Sequence, residues 1–317
     1  MNHEKRFAMC CIFLMLGSAT PVWSGEKPFP NKPIHFIVPY AAGGGQDMLA
    51  RGISPFLERQ LGVPVQIENI PGAGGKMGFT KVWKANPDGY TIMTYVLPVP
   101  IILEKLSQEE YRTKEFTAIF AWSEVSQVLV VNAEEFKTLE DFLASAKTKT
   151  LVSGLPGKGT AAHLAGLLAA EGFKIRVNWV PFSGGSEALS ALAGKHVDMA
   201  IVQTPTALPL VRSGKLRALM VFSDDKDPVY PDVPIPKQKG YNIPPASSLR
   251  GVVAPPKLPR AIAATLEKAF DKAVMEPGYI EWGKRTKTDI FPVSSKEYQS
   301  VIEEQYKLVE KYIHLLN

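Results

Sequence analysis

Four short segments bring backbone groups, rather than reactive side chains, within reach of a ligand. They are Ala41-Ala42-Gly43-Gly44-Gly45, Gly72-Ala73-Gly74-Gly75, Gly157-Lys158-Gly159-Thr160 and Ser183-Gly184-Gly185-Ser186. Without Cβ atoms, a chain lets a ligand approach its N–H groups closely. Each segment stands just before a helical pattern. The first N–H groups of a helix have no intrahelical acceptor and lie at the positive end of its dipole. Such a place suits a carboxylate or a phosphate. One loop of this kind is explained by a tight turn alone; several in the same setting point to anion binding.

Side chains beside these loops extend the reading. Lys76 and Lys158 suggest a second anionic group on the ligand, although either is also an ordinary solvated loop residue. Tyr40, Phe182 and the apolar run Val96-Leu97-Pro98-Val99-Pro100-Ile101 suggest a partly apolar or aromatic body. Asp47 is either a helix-start residue or a partner for a ligand hydroxyl. His163, just inside the third helix, either lines a cleft or packs on its own helix.

Enzyme fingerprints do not close. After Gly43 and Gly45, the third Gly of a dinucleotide loop is replaced by Met48. Gly75-Lys76 is followed by Met77 and Gly157-Lys158 by Gly159, so neither completes a phosphate loop of the Gly-Lys-Ser/Thr type. Gly184-Gly185-Ser186-Glu187 ends on Ala188 and not on the Gly of a nucleophile elbow. The histidines, His3, His35, His163, His196 and His314, show no metal-ligand spacing. No catalytic residue, metal or cofactor is expected. A small-molecule enzyme with an unfamiliar site is the rival reading, and it lacks a convincing base and nucleophile.

The elements that position the loops follow a strand–loop–helix rhythm. Apolar β-branched runs at 34–40, 63–70 and 91–96 predict a first set of strands. Helical spacing from Leu49 to Gly62 contains Pro55, which predicts a kink near Ser54. A helix over 76–85 ends at the turn Asn86-Pro87-Asp88-Gly89. A long apolar strand over 119–131 precedes a helix capped by Thr138, and then a second set of strands at 151–153, 176–181, 197–202 and 216–222. Thr160 caps an Ala/Leu-rich helix ending at Gly172. Residues 223–247 form a Pro-rich surface connection. A strand at 249–255 and helices near 259–275 and 296–315 finish the chain. Such units predict parallel sheets covered by helices, an α/β architecture in two lobes, with ligands beyond the carboxyl ends of the strands.

Length and composition agree. The chain has 317 residues, a prior of about two domains. Lys5 and Arg6, an apolar run from Phe7 to Leu16, then Gly17, Ser18 and Ala19 read as a signal peptide over 1–24, with cleavage after Ala19 or Ser24. Cleavage would remove both cysteines, Cys10 and Cys11, and lower the formal charge from +5 to about +4. Lys147, Lys149, Lys284, Arg285 and Lys287 are scattered, so no nucleic-acid partner is expected.

Several segments resemble the Bug family of periplasmic solute receptors of tripartite tricarboxylate transporters. They include Pro39-Tyr40-Ala41-Ala42-Gly43-Gly44-Gly45-Gln46-Asp47, Glu68-Asn69-Ile70-Pro71-Gly72-Ala73-Gly74-Gly75, Asn86-Pro87-Asp88-Gly89-Tyr90-Thr91 and Val180-Pro181-Phe182-Ser183-Gly184. Ser213-Gly214-Lys215-Leu216-Arg217-Ala218-Leu219 and Tyr230-Pro231-Asp232-Val233-Pro234 continue the series in family order. The resemblance implies a type II periplasmic-binding-protein fold, with lobe 1 formed by 25–125 plus 253–317 and lobe 2 by 126–252. It implies a periplasmic monomer without catalysis, which closes on a small carboxylate and docks on permease subunits or a sensor. Carried over, the first-lobe contacts are Ala41, Gly43, Gly44, Asp47, Gly72, Ala73 and Gly74, and the second-lobe ones Ser153, Gly159, Thr160, His163 and Gly184. Tyr40, Gly45, Gly75, Lys76, Lys158, Phe182 and Gln203 complete the expected site. Lys76 and Gln203 depart from the family pattern, where small polar residues and Asp or Asn are frequent.

Overall fold

The computed structural model describes residues 28–107 and 109–316. The signal-peptide expectation and both cysteines lie outside the described residues.

The chain begins with β1 (Ile34–Val38), α1 (Gly45–Leu61), β2 (Val65–Asn69), α2 (Lys76–Trp83), β3 (Thr91–Val96) and α3 (Val99–Leu106). The long strand β4 (Thr117–Asn132) follows, then α4 (Leu139–Ala146), β5 (Leu151–Leu155), α5 (Ala161–Phe173) and β6 (Val177–Pro181). Next come α6 (Gly185–Ala193), β7 (Met199–Gln203), α7 (Thr204–Arg212) and β8 (Leu216–Phe222). The chain ends with β9 (Ser247–Ala254), α8 (Arg260–Val274), α9 (Pro277–Thr286) and α10 (Ser295–Tyr312).

Strand order is β2-β1-β3-β9-β4-β7-β5-β6, with β8 also on β4. β4 belongs to both lobes. Its first part, Thr117–Ser126, pairs antiparallel with β9, and its second part, from Gln127 to Asn132, lies between β7 and β8. The α/β fold and the two lobes agree with the sequence expectation. The sheets are mixed rather than parallel, because β9 runs antiparallel to both β3 and β4. Apolar runs reveal strands but not their direction.

Local chemistry explains most element ends. Thr138 Oγ1 accepts from Asp141 N–H at 3.0 Å and Thr160 Oγ1 from His163 N–H at 3.2 Å, as N-caps do. Ser294 and Glu297 form a reciprocal capping box at α10. Helix α1 runs through Pro55 without the expected break. Its buried stripe, Leu49, Ile53, Leu57 and Leu61, packs on α8 and β2, and that burial outweighs one lost hydrogen bond. Helices α3, α7 and α9 were not expected. Each carries Pro in its first turn, where the missing N–H is harmless, so Pro there starts a helix instead of marking a loop.

Helix α10 lies across β4, and the Tyr298 hydroxyl donates to the Tyr95 carbonyl at 3.1 Å. Gly251 on β9 makes this crossing possible. A Cβ there would sit 2.6 Å from both the Phe120 carbonyl oxygen and the Tyr298 ring. Gly251→Ala is therefore expected to destabilise the fold by about 1–3 kcal/mol through overpacking. An unchanged urea midpoint would refute that.

Candidate functional site

One cavity, about 440 Å³, is lined by residues from both lobes. That size suits a small organic ligand. Its lining includes Gly45 and Gln46 of α1, Val99 of α3, Ala161 and Ala162 of α5, Gly185 of α6 and Thr206 of α7. All of these belong to the first turns of their helices. Five helix N-termini thus meet at one cavity, and each contributes partial positive charge, although Pro100 and Pro205 remove one N–H each from the first turns of α3 and α7. Val96, Leu103, Pro156 and Val202 add an apolar surface. A second cavity, about 450 Å³, is lined by Glu124, Asp224, Asp225, Asp227, Asp289 and Glu304, a setting that disfavours an anion.

The first-lobe loops are held from within. Asp47 is buried and accepts from Gly43 N–H at 2.8 Å, from Arg51 Nε at 2.9 Å and from Asn69 Nδ2 at 3.0 Å. Asn69 also donates to the Tyr40 carbonyl at 3.1 Å, which ties the loop to the end of β2. Burial alone would raise the Asp47 pKa; Arg51, Gly43 and Asn69 outweigh it and hold the carboxyl below its ordinary value. Asp47 therefore clasps its loop. In the second loop, Gly72, Ala73, Gly74 and Gly75 all have positive φ, and a Cβ on Gly75 would press on the Phe79 ring at 2.8 Å. Of these, Gly74 lines the cavity.

The second-lobe loop after β5 is held the same way. His163 Nδ1 accepts from Gly159 N–H at 3.2 Å, and its ring packs edge-on against Trp179 at 5.7 Å. The acceptor role at Nδ1 assigns the ring proton to Nε2. Burial, with a smaller push from the Lys158 charge, lowers the His163 pKa to about 4. Thr160 Oγ1 donates to the Gly157 carbonyl at 2.9 Å. Gly159 has φ +72°, and a Cβ there would lie 3.4 Å from Ile102 of α3, across the cleft.

Of the expected site residues, Tyr40, Gly45, Gly74, Lys158, Gly159, Thr160 and Gln203 line the cavity. Ala41, Gly43, Gly44, Gly72, Ala73, Gly75 and Gly184 shape the loops around it without lining it. Ser153 is fully buried, and Phe182 packs on Gly154 and the second-lobe core. Lys76 is engaged elsewhere: its Nζ donates to Ser107 Oγ at 2.8 Å and pairs with Glu109.

Sequence reasoning did not single out Gln127, Ser248 or Arg250, which line the cavity from the crossing strands β4 and β9. Arg250 Nη2 donates to Gln203 Oε1 at 3.0 Å, and Gln127 Nε2 donates to Ser248 Oγ at 3.3 Å. Arg250 Nε, Gln127 Oε1 and the Tyr40 hydroxyl are buried without a hydrogen-bond partner. A signal was available for Arg250, a charge within the apolar run Leu249–Ala254, but not for Gln127 or Ser248, which follow other polar residues. Among the described residues, no group of three or more His, Cys, Asp or Glu is placed to hold a metal, and no helix is long and apolar enough to cross a membrane.

A neutral His163 gives the loop a pH signature. Its folded pKa lies below the ordinary 6.5, so the unfolded chain takes up the proton first. Stability is full above that value and falls as pH drops towards about 4. His163→Asn keeps an acceptor without the titration. Between these limits the wild type should lose up to roughly 3 kcal/mol more stability than the variant. Parallel pH profiles in chemical denaturation would refute this.

The family profile described as tripartite tricarboxylate transporter family receptor matches residues 49–317. BugT of Bordetella pertussis is 30% identical over 292 residues, covering 89% of this chain and 88% of that protein. A TctC solute-binding protein from Polaromonas, solved without ligand, superimposes with a TM-score of 0.80 at 26% identity, covering 91% and 99% of the two chains. MatC from Rhodopseudomonas palustris, solved with bound malate, superimposes with a TM-score of 0.72 at 28% identity, covering 91% and 100%.

Proposed function

Because the chain belongs to the tripartite tricarboxylate transporter receptor family, we propose that it is a periplasmic receptor that captures a small carboxylate between its lobes. It is exported by the segment 1–24 and delivers its ligand, as a monomer, to the membrane subunits of a tripartite transporter. The observation that carries the reading is the meeting of helix N-termini from both lobes at one cavity. Similarity to the malate-bound MatC supports the same ligand class.

In this reading the lobes are 25–125 with 253–317, and 126–252. They close by bending where β4 and β9 pass between them. A carboxylate sits on the free N–H groups of Gly45 and Gln46 or of Ala161 and Ala162. The ligand body lies on Val96, Val99, Leu103 and Val202, and Tyr40 forms part of the wall. Gly159 contributes close approach rather than a donor, because its N–H is given to His163. The site performs no reaction. Its imidazole is neutral and already committed to the backbone, and its one buried carboxylate, Asp47, is committed to Gly43, Arg51 and Asn69.

Thermal-shift measurement with malate, adipate and benzoate, followed by NMR of the recovered ligand, tests the proposal. A raised melting temperature with the ligand chemically intact is expected. Conversion of a bound acid, or no shift with any of them, would overturn it. The two lysines should separate. Lys76→Ala leaves affinity unchanged because Glu109 already answers its charge. Lys158→Ala, at an exposed position on the cavity rim, weakens binding a few-fold and in a salt-sensitive way. Equal losses in both would refute that assignment.

A further inference from the structure

We propose that Arg250 is the residue by which this receptor selects a ligand with a second acid group. The proposal rests on the carboxylate-receptor reading and adds to it the residue that sets ligand charge. Arg250 stands on β9, in register with Val96 of β3 on one side and Ser123 of β4 on the other. Val96 lines the cavity with it. The guanidinium makes one hydrogen bond to a neutral amide, Gln203 Oε1, while its Nε is buried and unpartnered. Among the described residues, no carboxylate forms an ion pair with it. A guanidinium has five donors in a rigid fork that matches a carboxylate in two parallel bonds. Burying such a charge beside neutral groups alone is costly, and an anion arriving in the cavity supplies what the protein leaves out. Burial lowers the Arg250 pKa to about 10, still far above neutrality, so the charge persists.

The position also divides labour. The helix N-termini offer diffuse partial charge and bind one acid group. Arg250 offers a full charge at the end of the cavity walled by the crossing strands. Gln203 closes β7 in the second half-sheet, whereas Arg250 belongs to the first, so their hydrogen bond already joins the two half-sheets beside the cavity. An acid group on Arg250 would join the same half-sheets more strongly. A ligand with acid groups at both ends and an apolar chain between them satisfies both features and the Val96, Val99 and Leu103 wall.

The test is titration calorimetry with the straight-chain diacids from malonate to suberate, their monoamides and the matching monoacids. Wild type, Arg250→Met and Arg250→Lys are compared. For the best diacid, the wild type should exceed the monoamide by roughly 10- to 100-fold, the range of a hydrogen bond to a charged group. Arg250→Met should lose a comparable factor for the diacid and bind diacid and monoamide alike. Arg250→Lys, which keeps the charge without the fork, should retain part of the preference and covers the case in which the Met variant does not fold. If Arg250→Met, or Arg250→Lys where the Met variant does not fold, keeps the full wild-type diacid preference, Arg250 is not the selecting residue although the receptor reading stands. A wild type that prefers the monoacid to every diacid overturns the assignment in the same way. If no acid of any kind binds the wild type, the carboxylate-receptor reading itself falls.

Discussion

Strand β4 carries both half-sheets on one backbone, and everything else in the molecule is arranged around that constraint. Its sixteen residues give one half to β9 and the other to β7 and β8. A strand shared in this way fixes the two half-sheets relative to one another. It also sets where the cavity lies. Gln127 is the first residue of β4 to pair with β7, its partner there is Gln203, and both line the cavity. The place where the strand changes partners is one wall of the cavity.

The electrostatics of the cavity come mostly from the backbone. Two side chains with obvious chemistry are turned inward to support it: Asp47 clasps the first loop and His163 clasps the loop after β5. Both accept a glycine N–H, and Asp47 accepts from Arg51 and Asn69 as well. Glycine gives the loops their shape, and a buried polar side chain then restricts the freedom that glycine brings. The donors left over are those of the first helical turns.

Much of this was legible in the sequence. Thr91–Val96 and Leu216–Phe222 were expected at the bounds observed, and Thr138 and Thr160 act as the N-caps their types suggest. Seven of the expected site residues reach the cavity, six of them in or beside the Gly-rich loops and Gln203 at the end of β7. What was not legible depends on distant partners. Lys76 looked like a site cation until Glu109 and Ser107 claimed it from a remote loop. Arg250 looked like one charge in an apolar strand, and only the pairing of β9 with β3 and β4 places it at the cavity. Strand direction was hidden for the same reason: hydrophobic runs report burial, whereas antiparallel pairing is decided by the return path of the chain.

The approach of Gly159 to Ile102 has a further consequence. The two lobes meet there through a position without a side chain, so the distance of closest approach is set by an absence. A side chain added at that point would press on Ile102, enter the cavity that Gly159 lines and strain the backbone at φ +72°. The spacing between the two halves and the room left for a ligand are thus set at one and the same residue.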